Sequence, residues 1–506
     1  MSDLLEMLYE RYNQFGYYEY PIQNPFMLIR ILREGNIEKN NLEEKIHEYE
    51  FLERFSEANG DYQELVEDKN FVQPKSVVIR ICYMELILNS LPDVFFDDLA
   101  ISRAEILQIS VAIVMYYMGL NAYKYGEVPV SDSVKRNIIG RDDCYFGLKE
   151  IKMVCGKVGE SSYNRYLEIF ARDINEISER DSVRLYKRNE KPFILCMADF
   201  LDYVMHEIEK MFKNQYPKQE FSRYMNAKGR AFEELVFGFL KSFYDECYHT
   251  LYYYPEGKEK VELDIVLRDN ERIAIFECKS RTIWFEEANN DADVKGTIRY
   301  GVEKAYKSLC KIADYCADAK GYYFENGETK ISGINEEPLC IHVSMYPLDF
   351  ISSNIHTLFP KYIEDKTNPI LTISLEHLCA ILLDLRKNNQ SIFDYWEIRK
   401  ADIAKYPSVQ FDNNELDLYH EMMMKERKSI LSQLKESGIL DAVASNVSIM
   451  TTFRDENGEE ERPALFMLRY LDSVLGANLF LYGKSWLGIN KRYLRNLEEI
   501  TKITVE

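Results

Sequence analysis

The sequence predicts a multidomain, α-rich protein of α+β class with a mixed α/β segment near its centre. The chain has 506 residues, which exceeds the ~250–300 residues that one hydrophobic core commonly reaches. Apolar residues recur at three- and four-residue spacing over most of the chain, which is the helical period. Between about residues 222 and 350 this period gives way to short β-rich runs separated by helices.

Breaks in these patterns predict three domains: a mainly helical region over residues 1–215, an α/β core over 222–350 and a mainly helical region over 360–506. Pro217 marks the first break, because a helix rarely continues through the residue before a proline. Ser374 is the expected N-cap of a helix in the last region. The run Asp455–Gly458 is the expected turn of one hairpin there.

Inside the core, the sequence predicts a helix, a hairpin, a second helix and a strand. The first helix is expected over Ala227–Glu246 and the second over Val294–Cys316. The hairpin strands are expected over Val261–Leu267 and Arg272–Lys279, and the last strand over Leu339–Tyr346.

The charge of the chain is strongly negative, with a formal net charge of −21. This argues against a general nucleic-acid coat protein, because nonspecific affinity comes from Lys and Arg at phosphates. Residues 221–320 differ, since their 16 Lys and Arg against 18 Asp and Glu give −2 and leave −19 on the rest of the chain. Any nucleic-acid site is therefore expected in the centre.

Cysteine usage and the N-terminus predict a cytoplasmic protein. The ten cysteines include no C-x-x-C pair, which is typical of reduced thiols rather than a disulfide or zinc framework. Met1–Glu6 is acidic where a secretory signal is basic. The uncharged stretch Ile106–Tyr123 just reaches the length of a membrane-spanning helix. Because it contains Gln108, Ser110 and Asn121, we expect a buried core helix and no membrane association.

The predicted hairpin brings two acidic side chains together. A two-residue turn at Asn270–Glu271 makes paired residue numbers add to 541, so Asp264 faces Glu277. Side chains alternate along a strand, which places Glu277 and Lys279 on one face. The same alternation assigns Leu263 to the opposite face.

Carboxylates held together among apolar residues repel each other and lose hydration, and a hard divalent cation relieves both penalties. Mg²⁺ is the expected ion, because it prefers carboxylate oxygens and works with substrate phosphates. Lys279 supplies a positive charge that can stabilise charge developing on phosphate. Asp264, Glu277 and Lys279 thus form a candidate set for phosphodiester hydrolysis, with a salt-bridged cluster at a sheet end as the alternative.

A fourth carboxylate lies on the preceding helix, which is expected to begin near Gly229. Glu233 shares a core-facing stripe with Phe237 and Leu240, where a carboxylate needs a partner. Glu234 is about 100° away around the helix and is the weaker candidate.

These residues resemble the PD-(D/E)XK nuclease superfamily, of restriction-endonuclease-like fold, over about residues 225–350. The matching pieces are a Gly-x-x-Phe-Glu run that ends at Glu233, Asp264 in a Glu-Leu-Asp strand, and Glu277-Cys-Lys279 after the turn. The resemblance implies that Glu233, Asp264 and Glu277 bind one or two Mg²⁺ ions, for which Mn²⁺ can substitute. It also implies that the Cys278 carbonyl is a further ligand and that Lys279 assists the attacking water.

The sequence departs from the superfamily pattern at two positions. Ser308 stands where many relatives carry a Gln after a Lys-Ala pair, so a role of that Gln in orienting water is missing or reassigned. Leu263 precedes Asp264 where the family name has a Pro, a common replacement.

The expected function is that of a Mg²⁺-dependent endonuclease acting on DNA. The flanking helical regions are expected to bind, to gate the site, or to mediate homo-oligomers or contact with a partner protein. This architecture resembles that of bacterial nucleases of anti-phage defence or restriction. Two alternatives stay open: an RNA-directed nuclease, and a nucleic-acid- or protein-binding adaptor whose site is idle.

Cationic residues near the candidate site have two interpretations. Lys304, Lys307 and Lys311 form a stripe along one helix face, which can track a phosphate backbone or simply be solvated. Arg281 and Trp284 can contact a nucleic-acid strand by charge and stacking or anchor a loop. The solvated face and the loop anchor are the favoured interpretations.

Overall fold

The computed structural model describes residues 75–125, 144–178, 181–254, 260–281, 299–318, 321–334, 336–348, 370–405, 415–423, 463–476 and 487–501, with short stretches at 5, 25–34, 41–42, 44–45, 131, 134–135, 453–454 and 460–461. The chain forms two compact units, one of residues 1–224 with 469–506 and the other of residues 225–468. The protein is therefore a multidomain mixed α/β structure.

The described elements up to residue 243 are mostly helices. In chain order they are α1 (Pro25–Glu34), α2 (Val77–Ser90), α3 (Asp93–Leu99), α4 (Arg103–Tyr125), α5 (Leu148–Val154), α6 (Glu160–Phe170), β1 (Arg172–Asp173), β2 (Tyr186–Arg188), β3 (Lys191–Phe193), α7 (Met197–Gln215) and α8 (Lys218–Phe243). The break between α7 and α8 falls at Pro217, as predicted.

The remaining described elements alternate strands and helices before a helical end. They are β4 (Cys247–Tyr253), β5 (Val261–Asp269), β6 (Arg272–Lys279), a π-helical turn (Arg299–Glu303), α9 (Lys304–Asp318), β7 (Tyr322–Glu325), β8 (Lys330–Ile334), β9 (Leu339–Ser344), β10 (Leu371–Ser374), α10 (Leu375–Lys387), α11 (Ile392–Lys405), α12 (Glu415–Met423), β11 (Phe453–Arg454), β12 (Glu460–Glu461), α13 (Pro463–Gly476) and α14 (Lys491–Thr501).

The first unit contains the uncharged stretch within α4. Among the described residues, α4 is the one helix long and apolar enough to cross a membrane, and 83% of its apolar window is buried within the protein. Its polar residues have partners inside, since the Ser110 hydroxyl hydrogen-bonds the Tyr166 hydroxyl at 2.7 Å. The prediction of a buried core helix is confirmed.

The second unit contains a seven-stranded mixed sheet with the order β10-β9-β6-β5-β4-β7-β8. Strand β9 runs parallel to both β6 and β10, and the other neighbours are antiparallel. Helix α9 covers part of the sheet with buried Tyr306, Leu309 and Ile312, and Val302 of the preceding π-helical turn joins them. These side chains occur three or four residues apart, so one face of α9 is apolar and the other is free to carry charge.

The predicted elements of this region are present with shifted ends. The first helix begins at Lys218 rather than Ala227, and the last strand ends at Ser344 rather than Tyr346. Residues 294–298 of the second predicted helix lie outside the described residues, as does the turn of the predicted hairpin near residue 455. Ser374 caps α10, because its side chain accepts a hydrogen bond from the His377 N–H at 3.3 Å.

Other parts of the fold were absent from the prediction. Strands β4, β7, β8 and β10 extend the hairpin into the seven-stranded sheet, and β1–β3 form a small sheet in the mainly helical first region. The three predicted domains, 1–215, 222–350 and 360–506, remain a prediction. The compact units divide the chain at 224 and 468, so residues 370–405 share a unit with the predicted α/β core.

Candidate functional site

The hairpin of β5 and β6 has the predicted register. Pairs run from Asp269↔Arg272 to Ile265↔Phe276, and each pair adds to 541. The recorded ladder ends one residue before Asp264 and Glu277. There the Asp264 carboxylate Oδ2 accepts the Cys278 N–H at 2.7 Å, so a side chain takes the place of a backbone acceptor. This bond fixes the Asp264 carboxylate against the end of β6.

Side-chain alternation reverses beside Asp264, which corrects one prediction. Leu263 was expected on the face opposite Ile275, but both belong to the core that includes helix α9. Strand β4 shows the same reversal: His249 stacks on Phe237 of α8, whereas Leu251 joins the α9 core. A regular strand would place His249 and Leu251 on one face.

The backbone of Thr250 explains the reversal. Its φ is +54°, a conformation that β-branched residues rarely adopt. Residues on either side of it pair with β5, as His249↔Ile265 and Leu251↔Leu263, but no pair joins Thr250 to Asp264. The pairs on both sides add to 514, so no residue is inserted as it would be in a β-bulge, and the irregularity is confined to Thr250 and Asp264.

Lys279 donates hydrogen bonds to two oxygens of the predicted metal-ligand set. Its Nζ lies 2.5 Å from Glu277 Oε1 and 3.1 Å from the Cys278 carbonyl oxygen. Glu277 itself is only 9% exposed. Burial alone lowers the pKa of Lys279, but the charges of Glu277 and Asp264 outweigh it and raise that pKa above its usual value. The ammonium is therefore firmly protonated.

The Asp264 carboxyl resists ionisation. Burial is the main cause, the negative charge of Glu277 is the second, and together they raise the pKa of Asp264 to about 8. Lys279 and the Cys278 N–H oppose this shift, while Glu233 adds to it. Near neutral pH the site therefore has a strong tendency to take up a proton or another cation.

Glu233 faces the same group of charges from α8. It is half-buried, and its pKa is raised chiefly by burial, with Lys279 opposing and the carboxylates of Glu262 and Glu277 adding. Glu234 is exposed, in agreement with its weaker ranking, and Glu262 is exposed as well. The structure thus brings together Glu233, Asp264, Glu277, Cys278 and Lys279, the whole predicted set.

The sequence reasoning missed His342, which pairs with Glu277 across the parallel strands β6 and β9. His342 is fully buried, and burial followed by the charge of Lys279 lowers its pKa to about 3, so the imidazole is neutral. Its Nδ1 lies 3.5 Å from Thr372 Oγ1, which hydrogen-bonds the Tyr306 hydroxyl at 2.7 Å. A lone His in the apolar run Leu339–Ser344 was the only signal available.

The structure describes four of the five cationic and aromatic residues that were singled out beyond β6. Lys304, Lys307 and Lys311 are all exposed on α9, which agrees with a solvated face and leaves a phosphate contact open. Arg281 is exposed as well, and Trp284 lies outside the described residues.

No ready-made metal site exists in the part of the chain that the structure describes, since no group of three His, Cys, Asp or Glu side chains there is arranged to hold an ion. The donor types nevertheless suit Mg²⁺, because three carboxylates and a backbone carbonyl supply only oxygen. Lys279 contacts the Glu277 and Cys278 oxygens that such an ion would share. A metal ion would therefore compete with Lys279 for these oxygens.

Comparison with known proteins adds little to this geometry. Residues 228–290 match a family described as a domain of unknown function, DUF4143, and this range contains Glu233, Asp264, Glu277 and Lys279. No curated protein matches the chain. A solved structure described as the crystal structure of protein VC1899 from Vibrio cholerae is similar at 14% identity, over 60% of this chain and 56% of that one. Its TM-score of 0.20 does not establish a shared fold.

Proposed function

We propose that the protein is a metal-dependent endonuclease that hydrolyses phosphodiester bonds in DNA, with a restriction-endonuclease-like core around Glu233, Asp264, Glu277 and Lys279. One observation carries the proposal: three carboxylates converge on a single lysine, and the pKa of Asp264 is raised to about 8 as a result of burial and of Glu277. A structural ion pair gains nothing from such an excess of negative charge. A site that recruits a divalent cation requires it.

The proposed roles follow from the contacts of each residue. Asp264, Glu277 and the Cys278 carbonyl would hold Mg²⁺ or Mn²⁺, and Glu233 would complete the set from α8. The bound ion would lower the pKa of an attacking water and neutralise charge on the phosphate. The Cys278 N–H keeps the Asp264 carboxylate oriented toward the site.

Lys279 acts as a charge stabiliser rather than a base. Its raised pKa keeps the amine protonated in the metal-free site, which supports this role. Once released from Glu277, the ammonium can donate to a non-bridging phosphate oxygen as negative charge develops there. Cytoplasmic location and a role in anti-phage defence accompany this proposal as predictions.

The test is cleavage of plasmid DNA and of structured RNA by the purified protein, with Mg²⁺, with Mn²⁺ and with EDTA. Wild type is compared with Asp264→Ala and with Glu234→Ala, an exposed carboxylate on the same helix as Glu233. We expect DNA cleavage that needs metal, is lost in Asp264→Ala and persists in Glu234→Ala.

The outcomes separate the open alternatives. Cleavage of RNA alone, with the same dependence on metal and Asp264, assigns an RNA substrate to the site. Binding of nucleic acid without cleavage under any metal condition favours the adaptor. Cleavage that Asp264→Ala leaves intact overturns the assignment of these residues.

A further inference from the structure

Two cationic side chains lie over the ring of an exposed tyrosine next to the candidate site. The Tyr300 side chain is 43% exposed. Arg281 Cζ lies 4.9 Å from the centre of its ring, and Lys304 Nζ lies 4.1 Å from it. In the described part of the chain neither cation has a carboxylate partner. Both positive charges lie over the face of the ring, where its negative potential attracts them.

The arrangement differs from the other tyrosine–lysine contacts of this unit. Lys260 lies over Tyr252 and Lys330 lies over Tyr323, one cation to each ring. Lys330 also lies 3.9 Å from a Glu325 carboxylate oxygen. Among the described cation–ring contacts, Tyr300 is the one ring shared by two cations.

The position of the cluster links it to the candidate site. Arg281 follows Lys279 by two residues, and Tyr300 lies in the π-helical turn that leads into α9. Lys307 and Lys311 continue the exposed positive charge of Lys304 along α9. Asp314 occupies the next turn, so the positive stripe ends there. In a chain of net charge −21, this local excess of cations beside the candidate site calls for an anionic ligand.

We propose that Arg281, Tyr300 and Lys304 form a binding site for an unpaired segment of nucleic acid next to the scissile phosphate. This inference rests on the proposed nuclease function and specifies its substrate. A nucleobase replaces one of the cations over the Tyr300 ring, and the displaced cation pairs with the adjoining phosphate. Lys307 and Lys311 follow the backbone further along the helix.

The aromatic ring is what selects an unpaired strand. Bases inside a duplex are stacked on each other and present only their edges, whereas an unpaired base exposes a face that can stack on a side chain. Cations alone would bind duplex and single strand through phosphates. The substrate expected from this site is DNA with a single-stranded segment, such as a flap, a gap or a frayed end.

The experiment measures binding in EDTA, where no cleavage occurs, with the full-length protein. Fluorescence anisotropy is followed with a labelled 20-nucleotide oligothymidine and with a blunt 20-base-pair duplex. The variants are Tyr300→Ala, Tyr300→Phe and the double variant Arg281→Ala/Lys304→Ala. Tyr323→Ala is the matched control, because it removes a ring with one lysine in the same unit.

We expect Tyr300→Ala to weaken single-strand binding about tenfold or more, as loss of one stacked base does, and to leave duplex binding within about twofold. Tyr300→Phe keeps the ring and should retain wild-type affinity, as should Tyr323→Ala. The double variant should weaken both ligands and reduce the salt dependence of binding by about two counterions.

Several results would overturn the proposal. Equal losses for the two ligands in Tyr300→Ala would make the site purely electrostatic. Displacement of the oligonucleotide by polyglutamate at equal charge concentration would lead to the same conclusion. Single-strand binding through Tyr300 without any cleavage under metal leaves this site standing and defeats the nuclease. Metal-dependent cleavage together with unchanged single-strand binding in Tyr300→Ala would support the nuclease and overturn the proposed binding site.

Discussion

Each compact unit contains a cluster of acidic and basic side chains. The two clusters differ in their ratio of carboxylates to cations. In the first unit two carboxylates meet three cations. Lys75 Nζ lies 2.8 Å from Asp199 and 3.3 Å from Asp202, Arg80 Nε lies 3.1 Å from Asp202, and the charge of Arg184 acts on Asp199. In the second unit the charge of Lys279 acts on three carboxylates, Glu233, Asp264 and Glu277, and Arg230 acts more weakly on Glu233.

The pKa shifts follow these ratios. Burial acts to raise the pKa of Asp199, but Lys75 and Arg184 outweigh it and the net pKa is lowered. Burial also raises the pKa of Asp264, and there the charge of Glu277 adds to it instead. The carboxylates of the first cluster are thus balanced by cations, whereas the carboxylates of the second cluster outnumber the cations. The ratio of carboxylates to cations therefore distinguishes a structural ion-pair cluster from a candidate catalytic cluster.

The largest expected effect comes from the matched substitutions Asp264→Asn and Asp202→Asn. Asp264→Asn should lower metal-dependent cleavage by more than about 100-fold. It should leave the melting temperature unchanged or higher, because the amide is neutral where burial and Glu277 disfavour a negative charge. Asp202→Asn should destabilise the protein by about 3–5 kcal/mol, because it removes the carboxylate charge that lies 3.1 Å from the buried Arg80. Cleavage rates and melting temperatures of both variants check this, and a lower melting temperature in Asp264→Asn would contradict it.

Lys279→Ala should lower the cleavage rate by about 100-fold or more while affinity for uncut DNA changes little, since a charge stabiliser contributes mainly in the transition state. Lys279→Arg should restore only part of the rate, because a planar guanidinium does not replace a compact ammonium. Single-turnover rates and binding in Ca²⁺ separate the two quantities. If added Mg²⁺ restores both stability and turnover to Lys279→Ala, Lys279 is a structural counter-ion and not a catalyst.

The pKa of Asp264 predicts how stability varies with pH. An unfolded Asp has a pKa of about 3.9, and the folded value is about 8. Between these values the folded protein binds the extra proton, so its unfolding free energy should fall as pH rises through this window. Melting in EDTA at pH 5, 6.5 and 8 tests this, with Asp264→Asn as the control that lacks this contribution. Added Mg²⁺ should flatten the decline, because the ion binds the ionised carboxylate.

The smallest expected effect is at Thr250. Thr250→Gly removes a side chain from a backbone position with φ of +54°, where an L-residue costs roughly 1–2 kcal/mol, but it also increases the entropy of the unfolded chain. We expect a net gain of at most about 1 kcal/mol and unchanged cleavage. Urea unfolding measures the first quantity. A large loss of stability would show that the Thr250 side chain itself supports the site.

Local signals in the sequence determined the hairpin register and two helix boundaries. The register of β5 and β6 follows from a two-residue turn whose first residue, Asn270, has a φ of +58°, a conformation that Asn tolerates well. The cap of α10 follows from Ser374, and the break at Pro217 from the missing N–H of proline. Each of these depends on residues a few positions apart, so the sequence alone is sufficient.

Only the tertiary structure decided what the site residues contact. The reversal of alternation at Asp264 requires Thr250 on a neighbouring strand, and His342 comes beside Glu277 through parallel pairing of β6 with β9. The cations over Tyr300 come from residues 281 and 304. Such contacts join residues distant in the chain, and their pKa values depend on burial that no local pattern encodes. The sequence determined which chemical groups are present, and long-range packing decided their charge.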